Sequence, residues 1–318
     1  MVRVPTPLAV GMVNALLLPG RPTTVVDPGP DTAAARDALQ RGCAEARVAL
    51  ADIEHVVVTH AHVDHHGLAA WLHEQSGATV IGHALAAPRL TDPASAAERR
   101  LALLQRVADA AGVPGDVSRA AARLEEARSA LGPPVPADAV RVVRDGARLL
   151  AGGAEWTVLH CPGHARDHVC LFHAPSGSAI SGDLLLRHLP TPAMLEERRP
   201  DGSRPATLAD LVASWRRLGR LPIVIAWPGH GRPIRAHRIL VARRLAKVRQ
   251  NLREARAALR AGASTLVEVA GALGLDLEAD GLAAGLGDVV ALTDWLVKRR
   301  LAERRMVDGL LRLGPTGH

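Results

Sequence analysis

The sequence predicts a mixed α/β protein that ends in a separate, mainly helical unit. Two series of short apolar runs, rich in β-branched residues and closed by Gly, Pro or Asp, have the pattern of strands, and helical patterns lie between them. With 318 residues and an apolar fraction of 48%, the chain is long enough for a catalytic domain and a further unit. We place the boundary between residues 1–234 and residues 235–318, where the strand pattern gives way to a long amphipathic helix.

The first series of strands ends near residue 83, and the second begins near residue 140. The first series contains a predicted strand over residues 8–18 and the runs TTVVDPG, HVVVTH and ATVIGH, with a helix over residues 32–40. The second series contains VRVV, ARLLAGG, WTVLHCPGH, HVCLFHA, SAISGD and PIVIAWPGH. Strands that alternate with helices in this way are typical of layered α/β architectures.

Two segments interrupt this alternation. Residues 86–138 are rich in Ala, Leu and Arg, which favour helix, and we predict a helical insertion there. Residues 187–208 combine proline, glycine and charged residues, which is typical of a loop. Loops of that length in compact domains are often functional, so this segment is a candidate wall of a binding site.

The C-terminal residues 235–318 predict helices followed by a hairpin. A long helix is expected over residues 235–261, and Thr265 and Glu268 have the spacing of a capping box at the start of a second helix. Asp288 is expected to cap a third helix. The dipeptide DG between RRMV and LLRL is a tight hairpin signal. This order is the outline of a small winged-helix-like unit.

The composition limits the possible reaction mechanisms and indicates the cellular compartment. The chain has no tyrosine, which excludes any mechanism that needs a phenol hydroxyl. Three cysteines without a CxxC pair suit a reducing compartment, and no apolar run is long enough to cross a membrane, so we expect a cytoplasmic protein. The net charge of +7 comes from the C-terminal part, because 16 basic and 9 acidic residues follow residue 230 while 23 of each precede it.

The stretch THAHVDHHG holds the densest cluster of metal-ligand residue types. It places His60, His62, Asp64 and His65 directly after the apolar run HVVV, at the end of a predicted strand. Neutral imidazole and carboxylate are the ligands that zinc and similar divalent metals prefer. His60 and His62 are two residues apart and can turn the same way off an extended chain, while Asp64 and His65 turn the other way as the chain enters a helix. One short loop can thus supply ligands to two adjacent ions. His66 is not expected to be a ligand.

Three further candidates also follow apolar strands: His164 in LHCPGH, Asp183 in AISGD and His230 in IAWPGH. The Pro-Gly pair before each histidine makes a sharp turn that leaves an imidazole at a strand end. We therefore predict two adjacent metal sites that Asp183 bridges. The first site would contain His60, His62 and His164, and the second would contain Asp64, His65 and His230.

The motifs HxHxDHxG, PGH, GD and PGHG, in this order, resemble those of the metallo-β-lactamase superfamily of metallohydrolases. The resemblance covers about residues 8–235 and implies a four-layer αββα sandwich with a dinuclear site at one edge of the sheets. The segments HARDHVCLF, SGDLLL and AWPGHGRPI and the C-terminal pattern resemble a branch with a C-terminal winged-helix-like domain. That branch includes hydrolases of thioesters and other acyl compounds and an endoribonuclease.

The predicted mechanism uses a hydroxide that bridges two divalent ions and attacks the substrate. We favour zinc over iron or manganese as the metal. Asp64 and Asp183 are the predicted catalytic carboxylates, and the resemblance implies that His168 supports the site or contacts substrate. Asp27 is a candidate to orient a ligand histidine, and His188, in the long loop near Asp183, is a candidate either for substrate contact or for a surface position.

The favoured function is a metal-dependent hydrolase of a small acyl substrate, which would be a thioester, an ester or a lactone. One alternative is a metal-dependent endoribonuclease on single-stranded RNA, suggested by the basic C-terminal part. Another is an amide hydrolase of the β-lactamase type. We expect a small-molecule substrate, no membrane partner and a C-terminal unit that packs on the catalytic domain or supports a homodimer, rather than one that binds nucleic acid.

Overall fold

Two β-sheets occupy the centre of the protein in a computed structural model that describes residues 1–113, 128–278 and 281–316. In each sheet the order in space is the order in the chain. The six strands of the first sheet are β1 (Val2–Val4), β2 (Val13–Leu18), β3 (Thr24–Val26), β4 (His55–Val57), β5 (Thr79–His83) and β6 (Val140–Val143). The five strands of the second sheet are β7 (Arg148–Ala151), β8 (Ala154–His160), β9 (Val169–His173), β10 (Ser178–Gly182) and β11 (Ile225–Pro228).

Helices cover the outer faces of both sheets, so residues 1–234 have the predicted four-layer αββα arrangement. The helices of this part are α1 (Ala33–Glu45), α2 (Val63–His66), α3 (Ala69–Ser76), α4 (Ala87–Thr91), α5 (Pro93–Ala111) and α6 (Thr207–Arg220). One apolar cluster joins the first sheet to α1 and α3, and another joins the second sheet to α6. A third cluster, with members from both sheets, fills the space between them.

The alternation of side chains along the strands explains these layers. In β4, Val56 faces the helices and Val57 faces the second sheet, and both are fully buried. Successive side chains of a strand point to opposite faces, so an all-apolar strand must be covered on both sides. The run HVVV is therefore a strand that the sandwich buries completely.

Two strand predictions need correction. We predicted VRVV in the second half of the fold, but β6 belongs to the first sheet, where Val140 pairs with Val80 in parallel. The insertion acts as a crossover that returns the chain to the free edge of β5, because parallel neighbours need a long connection. The single strand over residues 8–18 is also wrong. Gly11 has a φ of +82° and interrupts it, and β2 begins at Val13.

The insertion is helical in its described part, as predicted, and α5 packs against the C-terminal unit. Its second predicted helical segment falls largely on residues 114–127, which lie outside the described residues. Residues 187–206 form a loop without helix or strand, also as predicted. No helix of the described residues has both the length and the apolar character that a membrane crossing requires.

Within residues 235–278 and 281–316, the C-terminal unit contains three helices and a hairpin: α7 (His237–Arg260), α8 (Leu266–Leu273), α9 (Leu282–Lys298), β12 (Ala302–Val307) and β13 (Leu310–Pro315). The capping box of Thr265 and Glu268 is present at the start of α8, and the DG dipeptide forms the hairpin turn. Asp288 does not cap α9, because that helix begins six residues earlier at Leu282. The winged-helix assignment itself stays a prediction.

Candidate metal centre

The chain reaches the candidate site four times, each time just after a strand. After β4 it supplies the THAHVDHHG loop and the short helix α2, and after β8 it supplies His164. The strands β10 and β11 lie side by side in parallel, and Gly182 of β10 is in register with Pro228 of β11. The carboxyl ends of parallel strands meet at one edge of a sheet, so Asp183 and His230 arrive together.

All seven predicted ligands converge at this edge. Their nitrogen and oxygen atoms form three groups, and within each group the ligand atoms lie within 4.8 Å of one another. The groups are His60, His62 and His164; His60, His65 and Asp183; and Asp64, His65 and His230. Two of these groups are the two sites predicted from the sequence, and the third contains the predicted bridge.

The distances show how the two halves of the site are joined. His62 Nδ1 lies 2.9 Å from His60 Nε2 and 3.1 Å from His164 Nε2, which defines the three-histidine group. In the other group, Asp64 Oδ2 lies 3.3 Å from His230 Nε2 and 3.6 Å from His65 Nε2.

Asp183 spans the two groups. Its Oδ1 lies 3.5 Å from His65 Nε2, while its Oδ2 lies 3.7 Å from His164 Nε2 and 3.6 Å from His230 Nε2. One carboxylate therefore faces ligands of both groups, as a bridging carboxylate would.

The donor atoms fit divalent metal ions. His65 Nε2, His230 Nε2 and Asp183 Oδ1 are buried and have no hydrogen-bond partner within the described residues. A buried polar atom without a partner costs about 1–3 kcal/mol, so several of them pointing at one space fit a bound cation. Imidazole nitrogen and carboxylate oxygen together match zinc, iron or manganese.

The three-histidine group is held neutral by its surroundings. Burial lowers the pKa of His60, His62 and His164, and the neighbouring histidines or Arg100 lower it further. Only a neutral imidazole can donate its lone pair to a metal. At neutral pH this group is therefore ready to bind without losing protons first.

The second group has the opposite electrostatics. Burial by itself would lower the pKa of His65, but Asp64, Asp183 and Asp27 outweigh it and raise that pKa well above its usual value. The pKa of His230 is raised against its burial in the same way, chiefly by Asp183, and the pKa of Asp183 is lowered against its burial by His65 and His230. A divalent cation can replace these imidazolium protons, so metal binding here should release protons.

Asp27 orients two ligand histidines. Its Oδ2 accepts from His65 Nδ1 at 2.9 Å and from the Thr59 hydroxyl at 2.7 Å, and its Oδ1 accepts from the Thr59 backbone N–H at 2.7 Å. The Thr59 oxygen in turn accepts from His60 Nδ1 at 3.0 Å. Both imidazoles thus carry hydrogen on Nδ1 and present Nε2 to the site, which is the orienting role predicted for Asp27.

Backbone carbonyls orient two more ligands. His164 Nδ1 donates to Pro192 O at 3.0 Å, and His230 Nδ1 donates to Met12 O at 2.9 Å. These bonds leave Nε2 of each ring free to face Asp183. Loop residues far from the ligands in the sequence therefore determine which nitrogen is available.

The remaining predicted histidines differ in position. His168 is fully buried, stacks on His60 with ring centroids 4.7 Å apart, and accepts the Asp183 backbone N–H on Nε2 at 3.1 Å. This places it beneath the site as a support for Asp183. His66 is buried outside the three groups, and burial lowers its pKa to about 4. His188 is exposed, and its contact with substrate stays a prediction.

Sequence reasoning missed a buried charge network beside the site. Asp167 Oδ2 accepts the backbone N–H of Ala61, inside the histidine motif, at 2.8 Å. Arg89 of the insertion lies 3.5 Å from Asp167 and donates to Glu196 of the long loop at 2.8 Å. The position of Asp167 next to His168 is a weak signal. Nothing in the sequence indicates that Arg89 and Glu196 meet.

Gly229 lies against the ligands, and its replacement gives a direct test of the site. A methyl group there would overlap Asp183 Oδ1 and lie 2.7 Å from His65 Cε1. We expect Gly229→Ala to lower metal affinity at least about tenfold, by displacing two ligands. A chelator competition assay measures this. Gly271→Ala, in an open position on α8, is the control and should leave metal affinity unchanged. Equal affinity in both variants would contradict the placement of the metal beside Gly229.

Known proteins share this fold and these motifs. Residues 8–230 match the family described as the Metallo-beta-lactamase superfamily. The curated protein "Probable metallo-hydrolase YqjP" of Bacillus subtilis (strain 168) is 36% identical over 255 residues, which are 80% of this chain and 78% of that protein. Metallo-beta-lactamase family protein TTHA1429 from Thermus thermophilus has a TM-score of 0.81 at 25% identity, over 99% of this chain and 97% of that one.

A third similar protein was crystallised with metal. TTHA1623, solved in a di-iron-bound form, has a TM-score of 0.50 at 26% identity, over 76% of this chain and 97% of that one. The family match covers residues 8–230, which is more than half of this chain, and the Bacillus subtilis relative is 36% identical over 80% of this chain. The chain therefore belongs to the metallo-β-lactamase superfamily.

Proposed function

We propose that this protein is a hydrolase of a small acyl substrate, which is a thioester, an ester or a lactone, and that it works with two divalent metal ions. The observation that carries the dinuclear proposal is the position of Asp183, whose two oxygens face ligands of both groups at 3.5 to 3.7 Å. Two such ions supply Lewis acidity and an activated water. Zinc is the favoured metal. The di-iron form of TTHA1623 makes iron the first alternative.

We assign a separate role to each group of predicted ligands. His60, His62 and His164 would hold one ion as neutral ligands, while Asp64, His65 and His230 would hold the other. Asp183 would supply a carboxylate oxygen to each of the two ions. We assign to Asp64 the additional role of accepting a proton, because its carboxylate lies within the site, 3.3 Å from His230 Nε2 and 3.6 Å from His65 Nε2, and is ionised. Burial raises the pKa of Asp64, but His65 and His230 outweigh burial and lower it.

A small cavity lies beside the loop that carries Pro192. This cavity has a volume of about 50 Å³ and lies between α5, the long loop and α9. Its lining contains apolar residues, Leu103, Val107, Met194 and Leu195, and charged residues, Glu196, Arg198, Arg204 and Asp294. Met194 is two residues from Pro192, the hydrogen-bond partner of His164. We propose the apolar part of this cavity as the place for a short aliphatic group of the substrate. Tyrosine-dependent lactone hydrolysis is excluded, since the chain has no tyrosine.

A substrate panel tests this proposal. Zinc-loaded protein is assayed against acyl thioesters of increasing chain length, aryl esters, lactones and β-lactams. The expected result is chelator-sensitive turnover of short acyl substrates, with Asp201→Asn active and Asp183→Asn inactive. Failure to hydrolyse any thioester, ester or lactone would overturn the proposal, and turnover of β-lactams alone would favour the amide alternative.

The ribonuclease alternative rests on the basic C-terminal part, where Arg305 is exposed on the hairpin. It predicts binding of single-stranded RNA at low salt and a steep loss of affinity as salt rises. Gel-shift titration at two salt concentrations decides between the two functions. We expect no measurable RNA affinity, and steeply salt-dependent binding with metal-dependent cleavage would replace the acyl proposal.

A further inference from the structure

The long loop touches both the metal centre and the C-terminal unit through three consecutive residues. The Thr191 hydroxyl donates to the backbone carbonyl of Asp183 at 2.9 Å. Pro192 O accepts from His164 Nδ1 at 3.0 Å, and the backbone N–H of Ala193 donates to Asp288 Oδ1 at 2.8 Å. Asp288 lies within α9, so a helix of the C-terminal unit contacts the loop at the point where the loop holds a ligand.

Pro192 O and the Ala193 N–H belong to the same peptide group. Since a peptide group is planar and rigid, a hydrogen bond to its N–H fixes the direction of its carbonyl. The carbonyl in turn fixes the ring of His164 with Nε2 facing Asp183. The hydrogen bonds therefore run without interruption from Asp288 through one peptide group to a predicted metal ligand.

We infer that Asp288 is a positioning residue for the metal centre: through the Pro192–Ala193 peptide it orients His164, so the C-terminal unit completes the site. This inference rests on the proposed role of His164 as a metal ligand. It gives the C-terminal unit a task in the catalytic domain that requires no nucleic acid.

Two further contacts show that the loop is held closely against this unit. Gly287, next to Asp288, approaches the loop so closely that an added Cβ would lie 2.5 Å from Ala193 O. Arg244 of α7 donates to the backbone carbonyls of Leu186, at 2.7 Å, and Leu189. Both helices therefore bind backbone atoms of the loop, which fixes its path rather than the identity of its side chains.

The charged form of the Asp288 carboxylate is energetically unfavourable at this buried position. Burial raises its pKa to about 7, and the hydrogen bond from Ala193 offsets only part of that rise. A neutral amide would accept the same hydrogen bond without the cost of a buried charge. The residue can therefore be replaced by asparagine with its acceptor kept, which allows a matched pair of variants.

The experiment compares Asp288→Asn with Asp288→Leu. The two side chains have the same branching, but only asparagine can accept from the Ala193 N–H. Zinc affinity is measured by competition with a chelating indicator, the cobalt(II) absorption spectrum reports ligand geometry, and the melting temperature of metal-free protein reports folding. We expect Asp288→Leu to weaken zinc binding about 10- to 100-fold and to alter the cobalt spectrum, as loss of an outer partner does, while Asp288→Asn stays within about threefold of the wild type.

Asp294→Ala is the control for a general loss of stability. Asp294 lies on the same helix and binds Arg204 and Arg304, but it does not contact Thr191, Pro192 or Ala193. It should lower the melting temperature without changing zinc affinity. Asp288→Ala replaces the leucine variant if that variant does not fold. Wild-type zinc affinity in the leucine or alanine variant would overturn the inference, and so would equal weakening in the asparagine variant or in Asp294→Ala. A wild-type protein that binds no zinc would instead overturn the proposed function.

Discussion

Asp183→Asn is expected to bind one metal ion fewer than the wild type and to lose more than about 100-fold in hydrolytic rate, beyond the 10- to 100-fold typical of outer partners. Asp183 is the residue whose two oxygens face both ligand groups. Asparagine offers one oxygen and one N–H2 group, which cannot bind a cation. If the amide nitrogen replaces Oδ2, it faces His164 and His230, and if it replaces Oδ1, it faces His65, so either orientation removes a carboxylate oxygen from the site.

Elemental analysis and steady-state kinetics measure the two parts of this prediction. Asp201→Asn is the control, because it makes the same change at an exposed carboxylate whose hydrogen bond comes from the Ser203 backbone N–H. It should keep both the metal content and the rate. Two bound ions and full activity in Asp183→Asn would show that Asp183 is not a bridge.

Asp27→Asn is expected to weaken metal binding by about 10- to 100-fold while leaving every ligand in place. The carboxylate of Asp27 accepts three hydrogen bonds, from the Thr59 N–H, the Thr59 hydroxyl and His65 Nδ1. An amide has only one oxygen, so its N–H2 group must face at least one of these donors. If the N–H2 group faces the Nδ1–H of His65, the ring avoids the clash by moving its hydrogen to Nε2. This change removes the Nε2 lone pair that faces the site.

A nearby aspartate provides the control for this variant. Asp31 follows four residues later and pairs with Arg36 at 2.6 Å, without contact to any ligand. Asp31→Asn should lower the melting temperature, because it removes the pair with Arg36, and should not change metal affinity. Chelator competition on both variants measures the difference. Equal affinities for wild type and Asp27→Asn would mean that Asp27 does not set the His65 tautomer.

The ligand set could be predicted because each ligand lies directly beside a local signal. An apolar strand followed by HAHVDH, PGH or GD carries both the position of the strand end and the chemistry of the ligand in a few adjacent residues. The hairpin turn, the capping box of Thr265 and the helical character of α5 and α7 follow from equally local patterns. Interactions between neighbours in the chain determine all of these features.

Other features depend on which segments meet in space. The position of β6 in the first sheet depends on where the insertion returns the chain. The apolar run VRVV would suit a strand of either sheet, so its sequence does not identify the partner. Asp288 has the appearance of a helix cap, but its partner is a backbone N–H almost a hundred residues away.

The sequence by itself thus determined the family, the strands that end at the site and the seven candidate ligands. Only the tertiary structure decided which atoms orient those ligands: a threonine hydroxyl, the carbonyl of Pro192, the carbonyl of Met12 and the His168 ring nitrogen that accepts the backbone N–H of Asp183. The physical reason is that nearly every residue carries the same peptide N–H and C=O groups. The type of a residue therefore does not indicate which partner its peptide groups will have, and folding alone determines which peptide groups face an imidazole.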